Sequence, residues 1–284
     1  MTGLFLAIEP NISRPGAVAV TRDICAQLNK LNVSFAFAER NRSVCDGLGG
    51  SFLPDEELYA SCNIVIAVGG DGSIIHYAKN AAQHRLPVLG INAGNVAFMA
   101  GLEADELSLL GALLAGNYFI DARMMLQADI IKDGEVLFSD CCLNDAVFAR
   151  GAEINLAEID VACDGLPVKH YRSDGIILAT PTGSTAYSFA AGGPVVEPTL
   201  ESMILTPISP YSMSSRSIIF SSSCVLQVSS ANRERPLFLS ADGGSAVKIP
   251  DGGMALVRKC GYYANFIRIK KDRFWHVLDN KMGK

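Results

Sequence analysis

The hydrophobic positions change period along the chain, and that change divides it. Apolar runs at residues 4–8, 33–38, 64–68 and 87–91 alternate with stretches of helical spacing, such as Val18, Ile24, Leu28 and Leu31 within residues 15–31. Continuous apolar runs fit strands buried on both faces, and their alternation with helices predicts a doubly wound parallel sheet. Residues 41–53, rich in Gly, Ser and Asp, read as a loop, and residues 54–61 as a short helix. Residues 76–84 complete another helix. Residues 103–114 make a further one, with an acidic first turn and Gly116 as its stop.

After about residue 120 the apolar runs shorten and turn residues multiply. Runs 124–131 and 135–142 are joined by Lys132-Asp133-Gly134, and runs 159–162 and 166–169 by Cys163-Asp164-Gly165, so each pair predicts a hairpin whose glycine takes positive φ. Runs 217–228, 236–240, 246–249 and 254–260 continue as short strands. Residues 266–269 read as a last strand and 274–282 as a closing helix. The predicted fold class is an α/β N-terminal domain with a Rossmann-like parallel sheet, plus a mainly β C-terminal domain and a closing segment. The predicted domains are 1–120 joined by 261–284, and 121–260.

Two segments depart from plain strand and helix texture. Gly69-Gly70-Asp71-Gly72-Ser73 lies between the buried run 64–68 and a helix. Its glycines let the backbone turn tightly beside a ligand, and the helix start offers free N–H groups to an anion. A carboxylate there repels phosphate, so Asp71 is read either as a functional group, base or metal ligand, or as the helix N-cap. Residues 92–101 form a second glycine-containing loop just past a strand, and ligands of open α/β sheets gather at such ends. The other segment is Thr180-Pro-Thr-Gly-Ser-Thr-Ala-Tyr187, a hydroxyl-rich turn after the buried run 176–179. Small donors at a helix start suit a hydroxyl- or amide-bearing ligand; a Pro-Thr turn with Ser184 as N-cap is the plainer reading.

Composition narrows the classes. With 284 residues, 49% of them hydrophobic, the chain has enough to bury for two domains, and a net charge of −5 argues against nucleic acid or an anionic membrane as partner. No stretch approaches the length of a spanning helix, and residues 1–9 lack the basic start of a signal peptide. The eight cysteines, at 25, 45, 62, 141, 142, 163, 224 and 260, show no zinc or disulfide spacing, and the four histidines make no ligand motif. Reduced, mostly buried thiols and a cytoplasmic location are expected.

The glycine loop, Gly90-Ile-Asn-Ala-Gly-Asn-Val-Ala-Phe-Met99, Leu143-Asn144-Asp145 and Asp174-Gly-Ile-Ile-Leu-Ala-Thr-Pro-Thr-Gly-Ser-Thr-Ala-Tyr187 together resemble the NAD kinases. The resemblance continues in residues 205–216, in Ser240-Ala-Asp-Gly243 and in Phe274-Trp-His-Val-Leu278. The first motif is shared with lipid kinases and phosphofructokinases, whereas residues 180–187 are specific in order and spacing. The resemblance implies phosphoryl transfer from ATP, or in some members polyphosphate, to the adenosine-ribose 2′-hydroxyl of NAD, with Mg²⁺ as cofactor. It makes Asp71 the catalytic base and lines the phosphate side with Gly69, Gly70, Gly72 and Ser73. Asn144 and Asp145 stand at the family's Asn-Glu pair, which binds ribose and adenine; Asp174, Thr185, Ala186 and Tyr187 match residues that hold amide, adenine and ribose.

Ser188, Phe189 and Ala190 continue that loop, and the resemblance puts Asn155 at the ribose end. Arg172 is a phosphate partner or a surface arginine. Phe98 stacks on adenine or belongs to the core, and His76 reaches phosphates or is solvated. The family often has His where Tyr211 stands and Gln where Gly244 stands. Partners are the small molecules NAD and ATP, and the family's habit implies a homodimer or homotetramer. Two other readings stand beside this one: a lipid kinase, which leaves residues 180–187 unexplained, and a non-catalytic dinucleotide sensor, which the shorter Asp145 allows.

Overall fold

Five parallel strands carry the first unit: β1 (Phe5–Pro10), β2 (Ser34–Ala38), β3 (Ser51–Leu53), β4 (Ile64–Gly69) and β5 (Pro87–Asn92), in the order β3-β2-β1-β4-β5. They belong to a computed structural model that describes residues 3–94, 97–152, 155–232, 235–270 and 273–282. The chain divides into two units, Met1–Ala122 with Ala264–Lys284, and Arg123–Tyr263. In the first, the late strand Ala264–Arg268 returns to pair in parallel with β5, and Phe119–Arg123 lies beyond it. Strands β1, β4 and β5 are buried almost throughout because Leu6, Ile8, Ile66, Val68, Leu89 and Ile91 fill one core.

The helix Pro15–Lys30 begins with Pro at its first position, where a missing N–H costs nothing, and buries Ala17, Thr21, Ile24, Cys25 and Leu28. Its inner face is thus rotated from the expected one: Val18 is only partly buried, and Leu31 lies past the end, exposed. The expected loop 41–53 holds a short helix, Arg42–Cys45, and the edge strand β3. Three residues give no readable periodicity, and β3 takes its conformation from β2 beside it. Likewise the stretch expected as one helix from 103 begins as a 3₁₀ segment, Ala104–Leu109, bent at Glu106, before Leu110–Leu114 turns regular.

In the second unit all described strand pairs are antiparallel. One sheet runs Ile218–Ser221, Ser202–Ile208, Gly175–Ala179, Asp145–Arg150, Leu237–Ala241, Val247–Lys248. The other runs Leu166–Ser173, Ala157–Cys163, Leu226–Ser230, Met254–Lys259, Leu126–Lys132, Glu135–Cys142. Phe148, Leu178 and Leu239 of the first meet Ile159, Tyr171 and Val257 of the second in one core, which makes a β-sandwich. Both expected hairpin turns form, with positive φ at Asp133 and Gly134 and at Asp164 and Gly165. The expected run 217–228 splits between the two sheets, because Ser223 N–H donates to Ser221 Oγ at 3.2 Å and turns the chain there. Among the described residues no helix is long and apolar enough to cross a membrane.

Candidate active site

The strand order of the first unit reverses between β1 and β4, and the loops after those two strands lie together. Asn11 N–H donates to Val68 O at 2.9 Å, and its side-chain Nδ2 donates to Ser73 Oγ at 2.7 Å. Such a reversal opens a crevice at the carboxyl ends of the strands. Gly69 is required there by space: a Cβ would stand 2.8 Å from Ser73 Cβ. Gly72 is different, since a Cβ there would meet nothing within 4 Å, which leaves its side open for a ligand. The guanidinium of Arg14 lies 3.7 Å from where a Gly70 side chain would begin.

Asp71 is the first residue of the helix Asp71–Gln83, and Gly70 occupies the N-cap position without any side-chain cap. The N-cap reading of Asp71 therefore falls. Its carboxylate instead accepts N–H bonds from two residues of the second glycine loop, Phe98 to Oδ2 at 3.1 Å and Met99 to Oδ1 at 2.9 Å. Arg268 holds the same loop from its carbonyls: Nη1 takes Met99 O at 3.1 Å and Ala100 O at 2.9 Å, while Nε pairs with Asp121 Oδ2 at 3.0 Å. Ala93 N–H donates to Gly69 O at 3.1 Å, so the two loops are also joined at their roots. Asn95 and Val96 of this loop lie outside the described residues. The Phe98 ring is half-buried, its centre 6.4 Å from that of Phe274. His76 is exposed; partial desolvation and the charges of Arg40 and Lys79 lower its pKa and keep it neutral at pH 7.

The second unit brings three of the sequence motifs together. Asp242, at φ 47°, turns its carboxylate onto the backbone of residues 143–145 and accepts N–H bonds from Leu143 (2.8 Å), Asn144 (2.7 Å) and Asp145 (3.1 Å). From the other side Thr180 N–H donates to Asn144 O at 2.8 Å, and Thr180 Oγ1 to Leu143 O at 2.6 Å. Gly183 closes the contact, since a Cβ on it would lie 2.0 Å from Asn144 O. Ser184 is no cap: its buried Oγ donates to Pro181 O within the turn and accepts the Val196 N–H from twelve residues on. Arg123 reaches Thr182 Oγ1 at 3.3 Å.

Around this knot the predicted residues separate into two kinds. Asn144, Thr185 and Ala186 are half-buried, while Tyr187, Phe189 and Ala190 are exposed. Ser188 is turned inward, its Oγ bonded to Thr206 Oγ1 at 2.9 Å, so this hydroxyl supports the loop from behind. Asp174 pairs with Arg150 at 2.8 Å. Arg172 is exposed, makes no ion pair among the described residues, and lies over the Tyr211 ring at 5.1 Å. Asn155 is exposed. Asp145 is 5% exposed, and burial, reinforced by the nearby Asp242 carboxylate, pushes its carboxyl up to about 7.

Sequence reasoning missed Asn11, Arg14, Arg150 and Arg268 as contributors, and it named Asp242 only within Ser240-Ala-Asp-Gly243, without a role. The rule for the reversal of strand order, applied to the polar loop after the first strand, was signal enough for Asn11 and Arg14. Arg150 and Arg268 carry none, because their partners lie far away in the chain.

A parallel sheet with a glycine turn and a clamped carboxylate at a strand's carboxyl end, followed in the chain by a β-sandwich, defines a two-domain phosphate-handling protein of the α/β class. Residues 54–118 match the ATP-NAD kinase N-terminal domain and residues 143–269 the ATP-NAD kinase C-terminal domain. An NAD kinase of Symbiobacterium thermophilum is 37% identical over 280 residues, 98% of each chain, and one of Desulforamulus reducens 33% identical over 278 residues, 98% of this chain and 96% of the relative. In fold the chain is similar to a yeast NADH kinase complexed with NADH (TM-score 0.92, 21% identity, 99% of this chain and 88% of that one). It is also similar to an Archaeoglobus fulgidus NAD kinase in complex with ATP (TM-score 0.75, 24% identity, 99% of each chain). The chain belongs to the NAD kinase family, and it is an enzyme that phosphorylates NAD to NADP.

Proposed function

We propose that Asp71 accepts the proton of the adenosine-ribose 2′-hydroxyl of NAD as that oxygen attacks the terminal phosphoryl group of ATP. The observation that carries this reading is the fixed carboxylate: two backbone N–H bonds hold Asp71 in one orientation at the helix start, next to Gly72, whose side is open. Phosphoryl transfer asks the protein for position and charge stabilisation more than for covalent chemistry. Gly69, Gly70, Gly72 and Ser73, with Asn11 and Arg14, take the ATP phosphates in this reading, and His76 and Phe98 flank them. Residues 1–120 with 261–284 form the catalytic α/β domain, and 121–260 the dinucleotide-binding domain. In the latter Asn144, Asp145, Asn155, Asp174, Thr185, Ala186 and Tyr187 hold NAD, Arg172 takes a phosphate of substrate or product, and Ser188, Phe189 and Ala190 complete the loop.

Mg²⁺ fits this arrangement as a passenger of the nucleotide. Asp71 is the one carboxylate in the glycine turn, and the described residues place no cluster of three metal ligands there; Mg²⁺ is ordinarily held by substrate phosphates with one or two carboxylates and water. When bound it neutralises charge on the transferring phosphoryl group. All eight cysteines are free thiols, which supports work in the cytoplasm. Val136, Leu137 and Leu166 stand exposed on the two edge strands of one sheet, which supports assembly into a homodimer or homotetramer. The test is NADP formation with Mg²⁺ and either ATP or polyphosphate, run beside Asp71→Asn, with the assembly state read by light scattering. NADP formation at the background rate with both donors refutes the assignment.

A further inference from the structure

Two thiols and a carboxylate, distant in the chain, meet at one end of the second unit's antiparallel sheet. Cys163 ends the strand Ala157–Cys163, Asp164 and Gly165 make its hairpin turn, and Cys224 precedes the strand Leu226–Ser230, whose Leu226 is the register partner of Cys163. One ligand atom from each of Cys163, Asp164 and Cys224 lies within 4.8 Å of the other two. The carboxylate is held in place by the neighbouring strand: Val225 N–H donates to Asp164 Oδ1 at 2.8 Å, and Asp164 N–H donates to Val225 O at 2.9 Å. Oδ2 then faces the Cys163 sulfur at 3.8 Å. Both cysteines are half-buried and Asp164 is exposed, so the cluster is open to solvent.

Thiolate sulfur with one carboxylate oxygen is the donor set of a borderline-soft d¹⁰ cation, whereas Mg²⁺ or Ca²⁺ would find a single oxygen ligand. Tetrahedral zinc, with Zn–S near 2.3 Å, asks for ligand atoms about 3.5 to 3.8 Å apart. The Cys163–Asp164 separation of 3.8 Å already matches, the set as a whole lies within 4.8 Å, and side chains at a surface turn have room for the remaining contraction. The Val225 N–H orients the carboxylate as outer-shell hydrogen bonds do in metal sites. We propose that Cys163, Asp164 and Cys224 form a tridentate site for a zinc-class divalent cation, with a fourth position open to water. Each thiol releases its proton to solvent on coordination. The site shares no residue with the phosphate loop or the dinucleotide set, so it is separate from the Mg²⁺ that travels with ATP.

Cadmium is the probe. Reduced, chelator-treated full-length protein is titrated with Cd²⁺ while the ultraviolet cadmium–thiolate charge-transfer band is followed, and Zn²⁺ is then added as competitor. One equivalent of Cd²⁺ is expected to raise the band and Zn²⁺ to abolish it. Cys163→Ser and Cys224→Ser lose the band, and Asp164→Asn, which keeps both sulfurs, binds at least about tenfold more weakly. Circular dichroism on each variant establishes that it is folded. The sulfurs of Cys141 and Cys260, 3.3 Å apart, are the competing pair. A band that survives in the Cys163→Ser/Cys224→Ser double variant, or that vanishes in Cys141→Ser, overturns the site, and so does the absence of any band.

Discussion

The backbone N–H of Met99 donates to Oδ1 of Asp71 at 2.9 Å, and this bond ties the carboxylate of the glycine turn to the loop beside it. Asp71 is the clasp of residues 98 and 99, and in the proposed reading it is also the base. Asp71→Asn sets an amide N–H₂ against a backbone N–H that needs an acceptor. The turnover rate for NADP formation is expected to fall about 10²- to 10⁴-fold. Stability is expected to drop by about 1 kcal/mol, the worth of one hydrogen bond. Single-turnover kinetics and thermal melting check the two parts separately. Unchanged turnover removes Asp71 from the chemistry, and unchanged melting removes the clasp.

Arg268 acts on the same loop through its carbonyls. Its guanidinium takes the carbonyls of Met99 and Ala100 and pairs with Asp121, and it is 5% exposed. Arg268→Met takes the guanidinium from the Asp121 carboxylate in a largely buried setting, a loss of about 3 kcal/mol. Because the loop then loses this anchor, turnover should fall while KM for NAD stays near the wild-type value. Arg268→Lys keeps the charge but not the fork of donors, so it should recover the stability more than the turnover. Denaturant melts and steady-state kinetics on both variants test this, and equal activity in Met and wild type rules out a positioning role.

These anchors show where reading the chain stopped. The buried runs 64–68 and 87–91 and the two Asp-Gly hairpin turns were legible because period and turn chemistry are local. The edge strand β3, the strand Phe119–Arg123 and the Pro207-bearing strand Ser202–Ile208 were not: a neighbour, rather than their own pattern, makes them strands. Of the site, the glycine turn and the hydroxyl turn announced themselves. Asp242 did not, because its work is done on backbone N–H groups, and any residue type can supply those. Arg268 is invisible for a related reason, since it holds carbonyls 168 and 169 positions away.

Two glycines separate the needs of the fold from those of the ligand. Gly183→Ala forces a Cβ to within 2.0 Å of Asn144 O and should destabilise the second unit by about 1 to 3 kcal/mol or more, raising KM for NAD as residues 143–145 shift. Gly72→Ala meets nothing within 4 Å and replaces a poor helix former in the first turn. It should leave the melting temperature unchanged or raised, yet weaken ATP use if phosphates approach the backbone there. Full activity in a stable Gly72→Ala protein takes the phosphates away from that side of the turn.

Asp145 gives the site a pH dependence whose sign is fixed by its surroundings. Burial first, and the Asp242 carboxylate second, raise its pKa from the ordinary Asp value to about 7. A raised acid favours the folded state while it is protonated: the contribution is whole below the unfolded value and is lost as pH rises through 7. A displacement from about 4 to about 7 corresponds to about 4 kcal/mol at most. Asp145→Asn is nearly isosteric and always neutral, so its stability relative to wild type should be close to zero near pH 4 and should grow towards that limit by about pH 8. Asp242→Asn behaves differently. It weakens the acceptor for three backbone N–H groups, a loss of about 1 to 3 kcal/mol at every pH, and it lowers the Asp145 pKa, which flattens the remaining slope. Urea melts at pH 5 and pH 8 distinguish the two profiles. If Asp145 also contacts NAD, KM for NAD varies between pH 6 and pH 8 in the wild type and not in Asp145→Asn. Parallel stability profiles for wild type and Asp145→Asn would mean that the carboxyl ionises in the folded protein as it does in water.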